Sequence, residues 1–120
     1  MNIVADILVA VVALQHVGFL VLEMFLWTKP KGLKTFRMTQ EQANFSAPLA
    51  ANMGLYNGFL AGGLVFALIT TNPLESLRMK CFFLGCIIIA GIFGGASVNK
   101  RIFFVQTLPA AIALILVLTT

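Results

Sequence analysis

Charge is scarce in this sequence. Of 120 residues only 10% are Asp, Glu, Lys or Arg, four acidic and eight basic, while 60% are hydrophobic. So few polar side chains cannot cover a globule in water, which excludes an ordinary soluble domain and leaves an integral membrane protein. Cysteine is rarer still. Cys81 and Cys86 lie five apart in an apolar run, which is neither a Cys-x-x-Cys redox motif nor a metal-ligand pair, so both are expected to pack as small apolar side chains. The eight basic residues sit at the ends of apolar segments and not along one polar face. Membrane topology therefore explains the net charge of +4 better than a nucleic-acid partner does. No basic residue precedes the first apolar run, and Asp6 falls inside it, so the first helix is expected to stay in the mature protein and not to be cleaved as a secretory signal.

Recognised catalytic motifs are missing as well. There is no Ser-His-Asp ordering that can be placed, no His-x-x-x-His or paired Asp cluster for a metal, and no phosphate-binding glycine loop. The reading is no metal, no cofactor and, on balance, no enzyme.

What is present is a set of apolar runs of membrane length. A bilayer-crossing helix needs roughly 20 mostly apolar residues, and the chain holds four such stretches, at about 3–27, 49–70, 79–98 and 102–118. The fold class is all-α: an integral membrane four-helix bundle with short loops, one domain over residues 1–120. Pro30 and Gly32 break the chain after the first span, among Lys29, Lys31 and Lys34, and Trp27 reads as an interfacial anchor. Thr39-Gln40-Glu41-Gln42 has the pattern of a capping box, so a short interfacial helix is expected to start there, ahead of the second span. Pro48 either begins the buried part or kinks one long helix. Glu75, Arg78 and Lys80 are read as a solvated connection, and Pro109 falls in the middle of the fourth span. The first and third loops hold six basic residues (Lys29, Lys31, Lys34, Arg37, Lys100 and Arg101) against Arg78 and Lys80 in the second. That asymmetry puts both termini outside a bacterial cytoplasmic membrane, with the first and third loops in the cytoplasm.

The most informative feature is Glu23, an acid inside the first apolar run. An ionisable group at that depth needs a partner, a water-filled cavity or a proton, and is a functional-site hypothesis by default. His16 stands seven residues earlier, roughly 20° away on the same helix face at about 100° per residue. Antiparallel spans with short loops bring Asn52, Tyr56 and Asn57, early in the second span, and Gln106, early in the fourth, to the depth of Glu23. A polar pocket is expected there, in the cytoplasmic half, with His16 as its floor and Glu23 as its mouth. Asn52 and Asn57 lie about 140° apart on their helix, so one of them is expected to bond to a neighbouring helix instead. Gly54, Gly58 and Gly62 form a four-residue stripe that Gly91 and Gly95 repeat. Such stripes let helix backbones approach closely, within one chain or across a dimer.

Leu22-Glu23-Met24 with Trp27 four residues after the acid, and the Asn52-x-Gly54-x-Tyr56-Asn57-Gly58 block, resemble a family of small bacterial membrane proteins known as domain of unknown function 1304. The resemblance runs over nearly the whole chain. It implies four membrane helices and no established activity, and it marks Glu23, Trp27, Asn52, Tyr56 and Asn57 as characteristic residues of the family.

Three functions are weighed. In the first, Glu23, alone or with His16, exchanges protons against a small molecule or ion, the pathway forming between two copies of the chain. In the second, the pocket takes a lipid-like substrate, as an enzyme or as a binding protein. In the third, the polar groups only hold a membrane scaffold together. The expected partners are the lipid bilayer, a second copy of the chain and an unknown small molecule or lipid.

Overall fold

Short polar side chains set where the helices begin. A helix leaves its first N–H groups without partners inside the helix, and a preceding Asn, Thr, Ser or Asp can accept from them. The computed structural model, which describes residues 2–119, shows this at all four spans. Asn2 Oδ1 accepts from the Val4 N–H at 2.8 Å. Thr39 and Gln42 form the reciprocal box, Thr39 Oγ1 accepting from the Gln42 N–H at 3.1 Å and Gln42 Oε1 from the Thr39 N–H at 3.0 Å. Asn72 Oδ1 accepts from the N–H groups of Leu74 and Glu75, and Asn99 Oδ1 from that of Arg101.

The resulting helices are α1 (Ile3–Met24), α2 (Pro30–Phe36), α3 (Gln40–Ile69), α4 (Pro73–Ser97) and α5 (Lys100–Leu118). Among the described residues there is no strand. Four of the helices, α1, α3, α4 and α5, are long and apolar enough to cross a membrane, so the chain is an all-helical, multi-pass membrane protein. The segment after Thr39, expected to be a separate short helix, is the first part of α3, and the short helix ahead of it is α2. It occupies part of the stretch read above as a proline- and glycine-broken loop, because Pro30 falls at the first helical turn, where its missing N–H costs nothing and its fixed φ suits the helix. From residue 40 the chain is one continuous helix through Pro48. Likewise α4 starts at Pro73, directly behind its Asn72 cap, and not six residues later. The segment from 73 to 80 is therefore helical, and Lys80 is buried in it, which corrects its reading as part of a solvated connection.

The chain packs as two compact units. One comprises the residues up to Ala13 and those from Gly62 onward, the other Leu14–Ala61. In the first unit the buried residues of α4 are Ser76, Lys80, Leu84, Ile87 and Gly91, spaced three or four apart along one face. On α5 they are Thr107, Ala110, Ala113 and Val117. Helices α4 and α5 meet closely at Gly91, where an added Cβ would overlap the Thr107 hydroxyl, and at Gly95, where it would come within 2.7 Å of the Phe103 Cβ. Thr107 Oγ1 donates to the Ile88 carbonyl at 3.0 Å, joining the two helices. Residues Phe103–Thr107 form a π-helical stretch, with the Leu108 N–H donating to the Phe103 carbonyl. It sits directly before Pro109, whose ring would press on the Val105 carbonyl in a regular α-helix, and the wider turn relieves that pressure. Helices α3 and α4 are joined by Ser76 Oγ, which donates to the Ala67 carbonyl at 2.8 Å.

The second unit is a helical hairpin built from the later part of α1, α2 and the earlier part of α3. Its turn is pinned by Trp27. The indole Nε1 donates to Ser46 Oγ at 3.0 Å, Ser46 Oγ donates to the Gln42 carbonyl, and the indole packs on Phe36 at 4.7 Å between ring centroids. Gln40 Nε2 adds a bond to the Thr28 carbonyl. Gly32 of α2 is buried, and a Cβ there would overlap the carbonyls of Leu26 and Trp27. Arg37 ends α2 in the left-handed region, at φ 53° and ψ 50°.

Candidate intramembrane site

Glu23 stands one residue before the end of α1 and is 7% exposed. Its burial follows from Gly54 of α3, which lets the two helices approach so closely that a Cβ at that glycine would lie 3.1 Å from the Glu23 Cβ and 3.3 Å from the Leu20 carbonyl. Gly58, one turn on, faces the Leu20 side chain. The carboxylate does not go unpaired: Asn57 Nδ2 donates to Glu23 Oε1 at 2.5 Å. A bond of this kind between a charged acceptor and an amide is short and strong. The amide also carries an oxygen that can accept from a protonated carboxyl. The pair can therefore hold the acid in either protonation state by turning one side chain.

His16 lies two turns before Glu23 on α1, fully buried, its ring edge-on to Phe19 at 5.1 Å between centroids. Asn52 is exposed, and Tyr56 is 54% exposed beside Phe59. Of the two asparagines on α3 it is thus Asn57 that bonds across to the neighbouring helix. Gln106 is half-buried in the π-helical stretch of α5 and belongs to the other unit. Of the glycines assigned to packing, Gly54 and Gly58 meet α1, and Gly91 and Gly95 meet α5. Gly62 is exposed, with nothing within 4 Å of where a Cβ would stand. No group of three His, Cys, Asp or Glu side chains able to hold a metal occurs among the described residues.

Two polar features went unseen in the sequence. The first is the Trp27–Ser46–Gln42 chain of hydrogen bonds, where Trp27 reads only as a headgroup anchor. The second is an ion pair between Lys80 and Asp6, Nζ to Oδ1 at 2.7 Å, with Lys80 only 3% exposed. The signal for it was present: once Asn72-Pro73 is taken as a cap and first turn, Lys80 falls on the same face as Ser76, Leu84 and Ile87.

Comparison with known proteins adds kinship without an activity. Residues 10–118 match the family described as "Protein of unknown function (DUF1304)". Over 118 residues the chain is 31% identical to the uncharacterized protein YpaA of Lactococcus lactis subsp. lactis (strain IL1403), covering 96% of this chain and 97% of that relative. No solved structure matches. With the four apolar helices described above, the match over nearly the whole length establishes that this chain belongs to the family of unknown function 1304.

Proposed function

We propose that this protein exchanges protons against a small molecule or ion across the bacterial cytoplasmic membrane, with Glu23 as the proton-carrying group and Asn57 as its hydrogen-bond partner. The reading is carried by one observation: a carboxylate on one membrane-length helix is buried against an amide on another. An acid at such depth is costly to keep and marks ion and proton pathways more often than it serves packing alone. His16, buried on the same helix two turns away, extends the polar track toward the middle of the span. Asn52 and Tyr56 supply further polar contacts to the proposed solute. Four spans enclose little space, so the solute pathway is placed between two copies of the chain.

The test uses purified protein in liposomes loaded with a pH-sensitive dye. With a counter-solute (Na+, K+ or a lipophilic cation in turn) on the side opposite the acid one, an imposed pH gradient should decay faster with the native chain than in empty liposomes. Glu23→Gln should return the decay to the empty-liposome rate while leaving the helical circular dichroism and the melting temperature near native, because a Gln side chain can still bond to Asn57. Unchanged proton flux in that variant removes Glu23 from the mechanism. The tight Gly54 contact beside Glu23 favours a second reading, in which the pair is only a clamp between helices. A clamp predicts no flux in the native chain and a large loss of stability in Glu23→Leu.

A further inference from the structure

Independently of Glu23, the first unit holds a cleft of about 190 Å³ that opens onto the Asp6–Lys80 pair. Asn2, the cap of α1, Pro73, the first residue of α4, and Val117, near the end of α5, all line it. The cleft thus lies at the ends of three membrane-length helices, the level at which a bilayer changes from hydrocarbon to headgroups. Ala5, Leu77 and Val117 make its walls apolar, and Asp6 and Lys80 supply the charge.

The pair is unevenly buried. The Lys80 side chain is 4% exposed and that of Asp6 29%. Taking a lysine ammonium out of water is costly, so a buried ion pair is weak evidence of a purely structural role. A structural pair would be cheaper with the space beside it filled by apolar side chains, yet here the space is open. At roughly 30 Å³ per water in the liquid, the cleft has room for about six waters, the size of a small polar group.

We infer that this cleft binds an ammonium–phosphate zwitterion, as in the ethanolamine phosphate headgroup of a lipid. The net charge of the pair is zero, so it favours neither a simple anion nor a simple cation. It complements a ligand that carries both charges a short distance apart, with the phosphate drawn to the Lys80 ammonium and the ligand ammonium donating to the Asp6 carboxylate. An unsubstituted ammonium has three N–H donors for that carboxylate. A trimethylated ammonium has none, so the site should reject choline headgroups. The apolar walls suit the glycerol and first acyl carbons of a lipid, while the same charges would hold free phosphoethanolamine.

The test measures lipid retention by native mass spectrometry on delipidated full-length protein. Phosphatidylethanolamine, phosphatidylcholine and phosphatidylglycerol of identical acyl chains are titrated in turn. Charge-assisted hydrogen bonds predict retention of the ethanolamine lipid about 10-fold above the other two. Asp6→Asn should bring the ratio near one. Leu77→Trp should do the same by filling the cleft while leaving the ion pair intact, which keeps the test decisive if Asp6→Asn does not fold. Soluble phosphoethanolamine that raises the melting temperature as far as the lipid does would identify the free zwitterion as the occupant, and a shift with the diacyl lipid alone would identify the lipid. Equal retention of all three lipids, a preference for phosphatidylglycerol, or an ethanolamine preference that survives Leu77→Trp would overturn the inference.

Discussion

At the scale of single residues, two buried ionisable groups among the described residues, Glu23 and Lys80, are handled differently. Glu23 meets a neutral amide, Asn57, whereas Lys80 meets a carboxylate, Asp6. Removing one member of a buried ion pair strands the other charge, which is generally worse than never having the pair. Asp6→Asn should accordingly lower stability by about 2 kcal/mol, below the full buried-pair range because Asp6 is partly exposed, read as a fall in melting temperature in detergent. Asp6→Asn combined with Lys80→Met should recover part of the loss, since the double variant buries no charge. If the double variant melts at or below the single one, the pair is not what stabilises this end of the unit. The sequence shows all four acids, but the distance that makes Asp6 and Lys80 partners spans 74 residues of chain and has no local signature.

At the scale of elements, each span carries its own start signal within one turn, although only the Thr39–Gln42 box was read as one. Asn2, Thr39 with Gln42, Asn72 and Asn99 all cap the helix that follows them. Thr39→Ala should cost about 1 kcal/mol in the same melting experiment, since it removes one half of the capping box. The glycines are less legible, because their spacing is the same whether or not anything packs on them. Gly32→Ala should destabilise by about 2 kcal/mol or more, as its Cβ would overlap two backbone carbonyls that cannot rotate away. Gly62→Ala, on an open side of α3, should be neutral or slightly stabilising through helix propensity. Equal effects of the two substitutions would show that the close approach at α2 is unimportant.

At the scale of the whole molecule, four apolar helices with basic residues gathered in the first and third connections make a topology experiment the natural check. If the charge asymmetry governs insertion, alkaline phosphatase fused after the last residue should be active and green fluorescent protein fused there should be dark. The reverse result would place the termini inside. Equal signals from both fusions would mean insertion in both orientations, and the proposed proton exchange would then work between oppositely oriented copies.

Membrane character and the number of spans were determined by the sequence alone, because both depend on composition; of the helix starts only the Thr39–Gln42 box was read, and the start of α4 at Pro73 emerged with the structure. The partner of Glu23 was within reach as one of two asparagines, and only the rotation of α3 against α1 selected Asn57 over Asn52. Tertiary structure alone decided that Lys80 is buried, that Trp27 bonds to Ser46, and that Gly54 packs while Gly62 does not. Each of these depends on which face of a helix meets a neighbour. In lipid, hydrophobicity marks that face weakly, since outward and inward positions are both apolar.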